Sequence, residues 1–408
     1  MAEEKTELPF GVKMKLVASI PIIVLRALKY ILTILFSSRP SRPFTRTLAV
    51  SLGRACALTI APLTNPYSNV LPSTGDAIRQ FCESKQLPLR STPIPIPSNP
   101  SIPPATLHFI TPAPAPSAQT NRILLFLHGG GYHSPLFGPS HLPFALRLAA
   151  AARAPTLAVL EYGLAPALPY PGQLVQAIEA LRHAVRLPAD GGAGHAPRDV
   201  VLAGDSAGGN LVAGVLAHLR SAGPHAPAVE GLAGGEGKRL GGAVMVSPWV
   251  GMQFEGGSYE RNAGVDQIGV EEMAEASDKW RPERGEVWAD MLGGGAMPAL
   301  PGGAGGLDGF WKGVFQGPGR VVEKAVVTVG DEEILLDDVV AFARMAGAAE
   351  AGGSCVKDSG DGHVQDENCV LLVKSPGEAH DGALTDLFAG VKAERSMLSE
   401  ILVWLEKL

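Results

Sequence analysis

From Ile123 onward, short apolar runs alternate with stretches of helical period in this 408-residue chain. The runs fall at 123–128, 156–162, 200–204, 243–247, 325–329 and 370–374, and helical patterns at about 142–153, 173–186, 207–220, 337–347 and 383–407. Runs this short read as strands, and a helix between successive strands is the crossover that parallel pairing demands. The expected fold is therefore α/β, with a mostly parallel central sheet flanked by helices. A hydrophobic share of 46% can fill that core and excludes a disordered chain. The 49 Gly and 34 Pro predict loops and inserts. Two inserts interrupt the rhythm: a Gly-rich one at 251–320, where such folds carry lid material, and a polar, solvated loop at 350–365.

Ahead of the sheet, residues 16–36 are almost wholly apolar, a length close to the ~20 residues that cross a bilayer. On a helix Lys15, Ser19, Arg26, Lys29, Thr33 and Ser37 share one stripe, because their separations are sums of threes and fours. A polar stripe on an apolar helix suits a helix lying in the membrane interface. A spanning helix that snorkels Arg26 and Lys29 is the competing arrangement, and the arginines at 39, 42, 46 and 54 would then place the sheet domain in the cytosol. No small-residue cleavage pattern precedes Arg39, so retention of the segment is expected. The chain thus divides into a membrane-associating helix at 1–40, a Pro-rich connector or cap at 41–120 with a short helix near 76–83, and the sheet domain at 121–408.

A formal net charge of −6 provides no basic field for a phosphate backbone, so nucleic acid is not an expected partner. Gly237-Lys238 is followed by Arg239, where a phosphate loop needs Ser or Thr, and Leu232 stands where its first glycine belongs. Cys56, Cys82, Cys355 and Cys369 lack metal-ligand spacing, and no His-Glu-x-x-His occurs. Neither metal nor cofactor is expected, and the oligomeric state is not readable.

Chemistry concentrates in three places. Gly204-Asp205-Ser206-Ala207-Gly208 joins the run at 200–204 to a helical stretch, which is the setting of a nucleophile elbow: a tight turn that leaves no room for bulk two positions either side of the serine. The helix that follows aims its positive end at that serine. His128-Gly129-Gly130-Gly131 closes the first strand, and consecutive glycines let backbone N–H groups turn toward an anion. Gly129 and Gly130, together with Ala207, form the expected oxyanion donors. Finally, His380 follows the last strand within Glu378-Ala379-His380-Asp381-Gly382. His128 is expected to brace the glycine loop, and His133, His141, His183, His218 and His363 to occupy loops or helix faces.

With Tyr162-Gly-Leu-Ala-Pro166, Tyr170-Pro171 and Ser247-Pro248-Trp249 added, the sequence from 123 to 408 resembles the hormone-sensitive-lipase family of α/β hydrolases, in particular its membrane-associated fungal branch that includes steryl acetyl hydrolases. Gly163 and Ala167 depart from the charged pair usual in the second motif, which puts the local ion pairing in question. The resemblance implies an α/β-hydrolase fold and a triad in the order serine, acid, histidine. It points to Glu333 as the acid, four residues before the pair Asp337-Asp338; Asp331 is the alternative, since either could lie in the loop after the strand. It also implies residence at a membrane, that of the endoplasmic reticulum, with sidedness open.

The expected chemistry is ester hydrolysis through an acyl-serine. His380 would take the Ser206 proton, the acid would hold the imidazole, and backbone amides would hold the oxyanion. An apolar helix beside such a site suggests a small apolar ester as substrate and a lipid surface as partner. A catalytically silent ligand receptor on the same fold and an acyltransferase with the same triad remain alternatives.

Overall fold

A computed structural model describes residues 8–36, 42–64, 72–112, 120–186, 194–232, 238–293, 306–350, 370–391 and 396–408. Its N-terminal part is helical: α1 (Phe10–Ala18), α2 (Ile20–Leu35), α3 (Phe44–Thr64) and α4 (Thr74–Lys85). The sheet and its crossovers follow as β1 (Leu89–Ile94), β2 (Ala105–Ile110), β3 (Ile123–Leu127), α5 (Gly138–Ala151), β4 (Thr156–Glu161), α6 (Gly172–Arg186), β5 (Val200–Asp205), α7 (Ala207–Arg220) and β6 (Leu240–Val246). Three helices, α8 (Gly257–Arg261), α9 (Val270–Trp280) and α10 (Gly306–Phe315), precede β7 (Val322–Gly330). The chain ends with α11 (Leu336–Met345), β8 (Ala349–Glu350), β9 (Val370–Ser375), α12 (Gly382–Ala389) and α13 (Met397–Glu406).

The strands form one sheet in the order β1-β2-β4-β3-β5-β6-β7-β9-β8. Only the β1/β2 and β2/β4 pairings are antiparallel. β5 is buried along its whole length, as its unbroken apolar run requires of a strand covered on both faces. Two apolar clusters do the covering: one holds Leu125, Leu202, Val212 and Met245, the other Phe126, Val201, Phe144 and Ile401. Because β3, β5, β6, β7 and β9 run parallel, their carboxyl ends share one edge, and the loops that leave it meet there.

The six expected strands and the α/β class appear in the structure, but the segments around them differ from expectation. Residues 41–120 are more than a connector: β1 and β2 extend the sheet, α4 packs on β2 and α5, and α3 packs on α12, so the sheet domain begins well before 121. Proline in an edge strand, here Pro93, hid the pairing, since an edge tolerates a missing N–H. The N-terminal helix breaks at Ser19 and is followed by α3; Phe10–Leu35 and Phe44–Thr64 are both long and apolar enough to cross a bilayer by length and composition. The helix expected over 383–407 is two, ended by Gly390 in left-handed backbone and restarted by a Ser396 cap. The insert at 251–320 carries helices where it is described, and the loop expected at 350–365 lies, except for Glu350, outside the described residues.

Candidate active site

Ser206 stands between β5 and α7 with φ 51° and ψ −117°, a strained conformation for a residue with a side chain. Close packing enforces it. A Cβ on Gly208 would lie 1.9 Å from the Leu127 carbonyl oxygen, and one on Gly204 would lie 2.4 Å from that of Gly208. No larger residue fits where α7 crosses the ends of β3 and β5. The Ser206 N–H donates to Val246 O (2.8 Å), which fixes the turn to β6.

The side chain of Ser206 meets His380, with Oγ 2.8 Å from Nε2. On the far side of the ring, Nδ1 lies 3.2 Å from Glu333 Oε2. The other Glu333 oxygen accepts from Ser247 Oγ (2.7 Å) and Gly330 N (2.5 Å), so this fully buried carboxylate is tied to both β6 and β7. A carboxylate beside Nδ1 accepts, so the neutral form of the ring carries its proton on Nδ1 and turns the Nε2 lone pair toward the serine hydroxyl. Asp331, the alternative acid, turns away from the histidine ring: its Oδ1 accepts from Gly377 N (2.7 Å).

Burial works against a charged His380 ring, yet the carboxylates of Asp381, Glu333 and Asp266 outweigh it and push its pKa up to about 10. Asp381 Oδ2 lies 3.4 Å from Nε2, on the same side as Ser206. The direction follows from a cation surrounded by carboxylates in a dry site. That arrangement stabilises the imidazolium that forms whenever the serine gives up its proton.

The expected oxyanion donors need one correction. The Gly129 N–H is spent on Asp205 Oδ2 (3.0 Å), so it is not available to a substrate anion. Among the described residues the N–H groups of Gly130, Gly131 and Ala207 have no protein acceptor. Gly131 therefore replaces Gly129 as a candidate donor beside Gly130 and Ala207. Both glycines have positive φ (105° and 59°), the backbone freedom that such a turn needs.

Asp205 shapes this loop from inside the elbow. Its Oδ2 also lies 3.3 Å from Nε2 of His141 on α5, one of the histidines expected on a loop or helix face. Burial lowers the pKa of His141, but Asp205 outweighs it and raises the pKa overall. His128 does brace the loop: Nδ1 is 2.7 Å from Gly129 O, and the ring stacks on Tyr162 with centroids 4.3 Å apart. Burial lowers its pKa to about 4, which keeps it neutral. At the second motif, neutral amides stand in for the expected charged pair: Gly163 N donates to Gln176 Oε1 (2.7 Å), and Gln173 Nε2 donates to Gly163 O (2.9 Å).

Ser247, Asp205 and Asp266 were missed as site residues. The first two lay within motifs already quoted, whereas Asp266 sits in the insert with no local signature. Among the described residues, no group of His, Cys, Asp or Glu is assembled to hold a metal ion.

The family described as alpha/beta hydrolase fold matches residues 124–365. An acetyl-hydrolase of Streptomyces hygroscopicus is 31% identical over 240 residues, 57% of this chain and 64% of the relative, so the chain spans just under two thirds of that relative's length. Among solved structures, a thermostable esterase from Pseudomonas putida aligns with a TM-score of 0.54 at 19% identity, covering 82% of this chain and 88% of that one. An esterase from the bacterial hormone-sensitive lipase family aligns with a TM-score of 0.52 at 22% identity, covering 90% and 99%. At such identities the solved structures speak for the fold. The family match covers more than half of the sequence, and the chain belongs to the alpha/beta hydrolase fold family.

Proposed function

We propose that this chain is a serine carboxylic ester hydrolase of the hormone-sensitive-lipase type that cleaves an apolar ester at a membrane surface. The observation that carries the reading is the unbroken line from Ser206 Oγ through the His380 ring to Glu333. In the reaction, Nε2 of His380 takes the hydroxyl proton as Oγ bonds to the ester carbonyl carbon, and the carbonyl oxygen becomes an anion facing the N–H groups of Gly130, Gly131 and Ala207. The imidazolium then passes its proton to the departing alcohol. Water repeats the sequence on the acyl-serine, frees the acid and restores Ser206.

The acetyl-hydrolase relative supports a short acyl group, and the helices beside the site support an apolar alcohol, of the steryl acetate kind. In α2, Ile20, Leu25, Leu28, Leu32 and Leu35 are exposed, and in α3 so are Phe44, Leu48 and Leu52. The arginines turn inward instead. Arg26 donates to Leu58 O (2.6 Å), while Arg46 binds Asp386 and Arg54 binds Ala263 O and Asp266 O. Polar inside and apolar outside is the arrangement that lipid surroundings favour. Since Arg46 and Arg54 hold α3 to the sheet domain, an in-plane helix group fits better than a span that leaves it. Residues 1–40 and α3 would together form the membrane-associating part, ahead of a sheet domain that starts at β1. The fold carries no support for the endoplasmic reticulum in particular.

The test is a fluorophosphonate probe followed by p-nitrophenyl esters of increasing acyl length. Wild type should label once, Ser206→Ala should not label and should lose ~10⁴-fold or more in kcat, and acetyl to butyryl esters should be preferred. A folded wild-type protein that neither labels nor turns over any ester would end this reading.

A further inference from the structure

Three side chains at one-turn spacing, Ser258, Asn262 and Asp266, project from the insert between β6 and β7 into the backbone of the two loops that carry Glu333 and His380. Ser258 Oγ donates to Ile334 O (2.6 Å), and Asn262 Nδ2 donates to Glu333 O (2.6 Å) and Asp331 O (3.1 Å). Asp266 spans both loops at once. Its Oδ2 accepts from Ile334 N (2.7 Å), the residue after the acid, and its Oδ1 accepts from the main-chain N–H of His380 (2.8 Å). Gln267 closes the grip from the other end, its Nε2 donating to His380 O (2.5 Å). All of this lies around a ring contact, His380 Nδ1 to Glu333, that is itself only 3.2 Å long. A buried carboxylate that spends one oxygen on each loop and is only 1% exposed is a costly group to keep unless the distance it sets matters.

We infer that Asp266 is a positioning residue for His380, which fixes the histidine loop against the acid loop so that the ring reaches Ser206 and Glu333 together. The inference rests on the proposed hydrolase reading. Burial pushes the Asp266 carboxyl up to about 6, with His380 opposing and Glu333 assisting, so it is an anion at neutral pH and can accept both bonds. Asparagine at this position has a single acceptor oxygen and must leave one of the two N–H groups unpaired. Ring placement should suffer while the oxyanion donors stay intact, since Asp266 bonds the main chain of Ile334 and His380 and not that of Gly130, Gly131 or Ala207.

The experiment compares wild type, Asp266→Asn and Gln267→Ala by fluorophosphonate titration, labelling rate and steady-state kinetics per titrated serine. For Asp266→Asn the labelling should reach completion but about 10- to 100-fold more slowly, with kcat reduced in parallel and KM within about twofold. Gln267→Ala should show the same pattern with a smaller loss. A purely structural role would lower the melting temperature and the titratable fraction while leaving the rate per serine at the wild-type value, and that result overturns the inference. Should Asp266→Asn fail to fold, Gln267→Ala decides: a wild-type rate per serine there overturns the inference equally. Failure of wild type itself to label would count against the hydrolase reading instead, so the two failures are distinguishable.

Discussion

The sheet edge that carries Ser206 and the helices α1 to α3 are opposites in charge and in what they hide. The edge buries carboxylates: Asp205, Asp266, Glu332, Glu333 and Glu378 are all nearly inaccessible. The helices belong to a stretch, between Glu7 and Asp76, with eight Lys or Arg and no acidic residue, which buries Arg42 and Arg46 while its helices expose leucines. The two meet where Arg42 contacts Glu332 (2.6 Å) and Arg46 contacts Asp386 and Glu378. An acidic edge raises the basicity of its histidine but cannot concentrate so many carboxylates unaided. The helices supply the opposing charge and present their apolar side outward, so one segment serves the electrostatics of the site and carries the surface proposed to meet lipid.

Three measurements can break or sharpen that contrast. The largest effect is expected within the edge: Glu333→Gln should lower kcat by about 10²- to 10⁴-fold, whereas Asp331→Asn, which touches a loop amide, should stay within about threefold. Similar losses for both would dissolve the distinction between the acid and its neighbour. A smaller effect concerns pH. A base must be neutral to accept a proton, so a histidine held well above its ordinary pKa gives kcat/KM that climbs as pH rises through neutrality and beyond. Replacing Asp381 by Asn removes the carboxylate nearest Nε2 and should move that limb toward acid; an unmoved limb would show that the edge does not set the basicity. The smallest effect on chemistry should come from the helices' outer face. Changing Leu25, Leu28 and Leu32 together to Ser should abolish binding to anionic phospholipid vesicles while kcat/KM on a soluble acetyl ester stays within about twofold. Vesicle binding that survives those changes would remove the outer face from the account.

The same contrast explains what the sequence disclosed. Ser206 and His380 could be placed because each belongs to a local pattern tied to a strand end, and parallel order then brings those ends together. Glu333 and Asp331 could not be separated from spacing alone, since both lie in one loop and only the direction of their side chains differs. Gly129 was assigned as a donor because a run of glycines says nothing about which N–H Asp205 will occupy. Asp266 was invisible for a similar reason: its role consists of bonds to main chain 68 and 114 residues away. In the N-terminal part, periodicity revealed a polar stripe but not that Ser19 and Arg26 turn into the protein while Lys15, Lys29 and Thr33 stay exposed. A stripe carries no sign for inside and outside until its partners are known.

One practical consequence follows from Arg46. Its guanidinium donates to Asp386 through Nε and Nη2 and to the Gly377 carbonyl, all in the stretch that flanks His380. Shortening the chain past α3 to obtain a soluble fragment would strand Asp386 and Glu378 without their counter-ion and loosen the loop that carries His380. A fragment that begins near residue 41 keeps that arginine, and it is the shorter boundary from which an active, lipid-free preparation should be sought.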